Sequence, residues 1–73
     1  MLPEDIEFWL LSLPETDRLK VFQALSEYLS MNELKTVMSE LGNGKDLLSI
    51  HRQLGLIGKY YVDLLRIRQI KGF

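Results

Sequence analysis

A chain of 73 residues with a formal net charge of −1 can hold one hydrophobic core and not two. The apolar share of 47% and the charged share of 26% exclude wholesale disorder. With no cysteine, neither a disulfide nor a thiolate metal site can add stability, so packed helices or a partner chain must supply it.

The small net charge conceals a division. Residues 1–44 carry a balance of −5, and residues 45–73 carry +4. Such a split points to an anionic partner for the C-terminal part, to two halves that attract each other, or to ordinary solvated helix faces that differ. No stretch approaches the roughly 18 apolar residues that span a bilayer. The longest strongly apolar run, Phe8 to Pro14, follows Glu4, Asp5 and Glu7, where a secretory signal would carry positive charge. The expectation is a cytoplasmic protein, neither exported nor membrane-embedded.

The first helix is expected to open at Pro3, because proline fits the first helical position and the acids Glu4 and Asp5 suit the positive end of the helix dipole. Ile6, Trp9, Leu10 and Leu13 then repeat at helical spacing and form its buried face. Phe8 and Leu11 fall outside that stripe. Pro14 ends this helix and opens a second, with Leu19, Phe22, Leu25 and Leu29 as its face. Asn32 is the expected cap of a third, faced by Leu34, Val37, Met38 and Leu41 and stopped at Gly42-Asn43-Gly44, whose residue types tolerate positive φ.

Asp46 is expected to cap a fourth helix reaching about Leu54. Its apolar side carries Leu47, Ile50, His51 and Leu54, and its opposite side Lys45, Ser49, Arg52 and Gln53. Gly55 and Gly58 break it from a fifth helix near 56–70. Arg66 to Ile70 alternates like a short wing strand, but helical periodicity accounts for more of this segment. The fold class predicted is an all-α bundle of four or five short helices in a single domain spanning 1–73.

Enzyme chemistry has little to stand on. The chain holds one histidine, His51, with nothing near it in sequence to orient it as a base, and no metal-ligand spacing or phosphate loop. No catalytic residue, metal or cofactor is expected, and no small-molecule substrate is evident. Gly55-Leu56-Ile57-Gly58 matches the GxxG string of KH domains, but that loop needs strands that this sequence lacks.

A sharper pattern lies in residues 32–54. A support helix, a Gly-containing turn and a second amphipathic helix with a polar, basic outer row are the parts of a helix–turn–helix. In this reading Arg52 and Gln53 read base edges, Ser49 contributes a polar contact, and Lys45, Lys59 and Arg66 hold phosphates. The stretch Leu13-Pro14-Glu15-Thr16-Asp17-Arg18-Leu19-Lys20-Val21-Phe22-Gln23-Ala24-Leu25 resembles the first helix of ArsR-type transcriptional repressors. Leu29 to Leu34 resembles the start of their support helix. The resemblance covers 13–38 and fades beyond Met38, where the family's Ser/Thr-Val-Ser-x-His string is missing. It implies a small helix–turn–helix regulator that binds double-stranded DNA as a homodimer; the metal ligands of sensing members are absent.

The alternative is a helical protein-interaction or oligomerisation module with no nucleic-acid contact. It rests on apolar surface beyond what short helices need to cover one another: Phe8, Leu11, and Tyr61 and Leu65 on the broad face of the last helix. These four residues are the expected dimer interface under either reading.

Overall fold

The computed structural model describes residues 3–71. They form six helices, α1 (Pro3–Ser12), α2 (Glu15–Leu25), α3 (Met31–Gly42), α4 (Leu47–Gln53), α5 (Leu56–Lys59) and α6 (Tyr61–Lys71), and no strand appears among them. The all-α bundle predicted from periodicity is therefore present, and 56–70 is helical rather than a wing. A single interruption at Tyr60 divides that segment into α5 and α6.

The helix ends follow from local chemistry. α1 starts at Pro3 and closes with the Ser12 hydroxyl donating to the Trp9 carbonyl at 2.6 Å. Pro14 precedes α2 in extended backbone, with Glu15 and Asp17 in the first turn. α3 is capped by Ser30 and not by Asn32. The Glu33 amide donates to the Ser30 hydroxyl, and the Ser30 amide donates back to the Glu33 carboxylate at 2.8 Å. This reciprocal capping box satisfies two donors that a helix start otherwise leaves bare. Asp46 caps α4 as its sequence implies, accepting from the Ser49 amide at 2.8 Å.

The core gathers buried side chains from every helix, α3 giving only Val37, and Leu29 joins it from beyond the end of α2. Ile6, Trp9 and Leu10 of α1 meet Val21, Phe22 and Leu25 of α2, with Leu48 and Ile50 of α4, Leu56 and Ile57 of α5, and Leu64 and Ile67 of α6. α2 packs on α6, α1 on both α5 and α6, and α3 on α4. At the seam between the first and last helices, the Arg68 guanidinium lies over the Trp9 ring, 5.5 Å from its centroid.

Three helix faces differ from their expected stripes. In α2, Phe22 and Leu25 are buried as expected and Leu29 joins the core from beyond the helix end, but Val21 is buried while Leu19 is 43% exposed. In α4, Leu48 takes the core place expected for Leu54, which sits past the helix end and is exposed. In α3 only Val37 is fully buried, and Met38 and Leu41 look outward.

Candidate functional site

α4 is where the expected polar row can be compared with its surroundings. Half of its short length faces inward: Leu48 and Ile50 are buried, and His51 is 1% exposed. The His51 ring stacks against Phe22 with centroids 4.4 Å apart. Its Nδ1 lies 2.7 Å from the Leu47 carbonyl, so Nδ1 carries the proton and donates, and Nε2 is left without a partner. Burial pushes the His51 pKa below its ordinary value, which keeps the ring neutral at pH 7. Sealed from solvent, this imidazole offers no base to a surface-bound substrate. Among the described residues no group of three His, Cys, Asp or Glu side chains stands close enough to hold a metal ion.

The outer row of α4 is exposed, but its polar groups are engaged within the chain. Lys45 pairs with Glu40 at 2.6 Å and donates to the Gln53 side chain at 3.2 Å. Arg52 donates through Nε to Glu7 at 2.6 Å. The Ser49 hydroxyl donates to Asp46 at 3.0 Å, and these bonds from Ser49 hold the Asp46 carboxyl below the usual range.

Lys59, outside this row, pairs with Glu33 at 2.8 Å, and the Tyr60 hydroxyl donates to the same carboxylate. Lys59 and Tyr60, with the Ser30 amide, bring the Glu33 pKa down to about 2, while the Lys59 and Tyr60 values rise in return. Of the six residues assigned to DNA, only Arg66 is exposed with no hydrogen-bond or ion-pair partner among the described residues. Each of the three ion pairs joins an acid from 1–44 to a base from 45–73. The charge division along the sequence thus closes on itself in the fold.

Between α4 and α5 only Leu54 and Gly55 intervene, and Gly55 takes φ +71°, a left-handed conformation that glycine adopts without a Cβ penalty. The segment 56–71 thus follows α4 after two residues, as α4 follows α3 after residues 43–46. The outward side of α6 carries Val62, Arg66, Gln69 and Ile70.

Exposed apolar side chains lie on α3 (Met31, Met38), on α6 (Val62, Ile70) and on α1. Phe8 is 71% exposed and Leu11 51%, one turn apart on α1, whereas Tyr61 and Leu65 are half-buried against the core. Beside them a cleft of about 510 Å³ separates the end of α1 and the start of α2 from α4. Half of its lining is apolar, Leu11, Leu19, Phe22, Leu47 and Leu48, and half polar, Glu15, Asp46 and Ser49 with Arg18 and Arg52. Sequence periodicity missed this cleft because it placed Leu19 in the core. A separate apolar cleft of about 180 Å³ lies between α2, α3 and α4, with Met38 and Leu41 on its wall.

None of the described helices is long and apolar enough to cross a membrane. No protein-family model, curated protein or solved structure matches the chain, so the ArsR-type resemblance rests on residues 13–38 alone.

Proposed function

We propose that this chain is a helical protein–protein interaction module whose working surface lies where α1 and the start of α2 border α4. The observation that carries this reading is the Phe8 side chain, 71% exposed beside exposed Leu11 and a cleft whose lining is half apolar and half polar. Contiguous apolar surface with a polar rim is the pattern of a contact site, whereas a lone exposed side chain is ordinary. The engagement of Lys45, Arg52 and Lys59 by carboxylates supports the same reading from the other side. A phosphate backbone approaching these cations must displace acids already in place.

The second reading is the helix–turn–helix DNA-binding regulator. The observation in its favour is the exposed outer row of α4, Ser49, Arg52 and Gln53, together with Arg66, exposed and unpaired among the described residues. In that reading Arg52 and Gln53 set sequence preference, and Lys59 and Arg66 hold phosphates.

Fluorescence anisotropy with a mixed-sequence duplex at low salt separates the two. The interaction module leaves the duplex free at tens of micromolar protein, roughly the range in which even non-specific DNA binding registers. Binding that weakens steeply with salt and falls on Arg66→Ala would instead establish the regulator. In affinity capture, the interaction module retains a protein that the Phe8→Glu variant loses.

A further inference from the structure

The cleft between α2, α3 and α4 differs from the Phe8 surface in one respect: a buried polar group on its wall lacks a partner. His51 is 1% exposed and forms part of that wall with Phe22, Leu34 and Val37. Its Nδ1 donates to the Leu47 carbonyl, which leaves Nε2 an acceptor with no donor. We infer that this cleft binds a neutral, ring-sized apolar molecule whose single hydroxyl or N–H donates to His51 Nε2. The site does not rest on the interaction-module reading, since neither Phe8 nor Leu11 is on its wall.

Size and charge restrict the ligand first. The cleft measures about 180 Å³, and a cavity of about 150 Å³ lined by aliphatic and aromatic side chains takes up benzene. One ring with a small substituent is therefore the scale. No acid, lysine or arginine lines the cleft, so a charged ligand would lose its hydration with no counter-charge to replace it.

The remaining polar side chains restrict its donor. Ser26 and Gln23 also line the cleft, but the Ser26 hydroxyl donates to the Gln23 carbonyl at 2.5 Å, and the Gln23 side chain is open to water. Only His51 is both buried and unmet. A donor brought by the ligand recovers the free energy that a buried acceptor loses without a partner. Water is a poor substitute, because a buried water needs about 2–4 polar partners and most of this wall is hydrocarbon. Nε2 is covered, so the ligand reaches it by moving a wall residue. Met38, unbranched and 65% exposed, is suited to that movement.

The experiment is an NMR titration of the full chain with phenol and with toluene, which match in size and differ in the donor. Hydrophobicity alone favours toluene in an apolar cleft, so a preference for phenol reports the hydrogen bond. Phenol is expected to bind with a Kd of about 1 mM or below, and toluene about threefold to tenfold more weakly. His51 is the chain's only histidine, so its imidazole nitrogen signals are identified without further variants. Phenol should move the Nε2 resonance upfield and toluene should not, while both shift the Leu34 and Val37 methyl signals.

His51→Phe keeps a ring against Phe22 and removes the acceptor, so phenol loses its advantage while toluene still binds. Circular dichroism checks that this variant stays helical, and if it does not fold the wild-type titrations decide alone. Phenol that fails to approach saturation at roughly 10 mM overturns the inference. So does phenol that binds no better than toluene or leaves Nε2 unmoved, and so do shifts confined to Phe8 and Leu11.

Discussion

His51 illustrates how one side chain sets the acid response of the domain. In the folded chain its ring is buried and neutral, with Nε2 unpartnered, and its pKa lies below the ordinary 6.5. The unfolded chain therefore takes up a proton first as pH falls. The stabilising contribution is complete above about pH 6.5 and is lost progressively below it, by at most about 1.4 kcal/mol per pH unit. Glu33 acts in a lower window. Its folded pKa of about 2 lies below the ordinary 4.5, so its contribution is present above 4.5 and disappears as pH approaches 2. Thermal melts between pH 7 and 5 should show a falling midpoint that His51→Phe flattens, because phenylalanine can keep the stack on Phe22 and takes no proton. A wild-type midpoint unchanged over that range would refute the assignment.

At the scale of elements, the two glycines of Gly55-Leu56-Ile57-Gly58 serve different ends. A Cβ at either position meets nothing within 4 Å, so packing does not distinguish them. Backbone conformation does: Gly55 sits at φ +71°, and Gly58 lies inside α5. Gly55→Ala should cost about 1–2 kcal/mol through left-handed strain alone. Gly58→Ala should be neutral or stabilising by up to about 1 kcal/mol, since alanine favours helix. Urea denaturation of both variants checks the contrast, and equal effects would show that the turn does not depend on Gly55.

Much of this layer was legible in the residues. Pro3, Pro14, Asp46 and Gly42 mark helix ends where charge, fixed φ and side-chain oxygens require them. Ser30 was legible too, through Glu33 three residues later, although Asn32 is an equally competent residue type. Periodicity failed where a helix stopped early: Leu54 continues its stripe on paper but lies beyond the last helical residue and is exposed. The ion pairs of Glu7 with Arg52 and Glu33 with Lys59 span 45 and 26 residues, and nothing local encodes such a meeting. The cleft was hidden because Leu19 lies on the expected stripe of α2 yet faces outward, lining the gap toward α4.

For the whole molecule, apolar burial rather than charge holds the chain together. The three cross-half pairs are solvent-facing, and such pairs contribute about 0–1 kcal/mol each. The core instead draws on both termini: α6 contributes Leu64 and Ile67 and packs on α2, while α1 packs on α5 and α6. A chain truncated after Tyr60 should therefore lose helical circular dichroism throughout and not merely shorten by one helix. Retention of a cooperative thermal transition in that truncated chain would contradict a core shared by all elements.

The stacking of Arg68 on Trp9 gives the molecule an internal optical gauge. Trp9 is the chain's single tryptophan, nearly buried, and it sits where the first helix meets the last. Its emission colour registers whether that seam is closed, with no dye attached. Parting of α1 from α6 wets the indole and moves the emission to longer wavelength, even if the remaining helices stay formed. A fluorescence change that precedes the loss of ellipticity during unfolding would thus time the opening of this seam against the collapse of the rest.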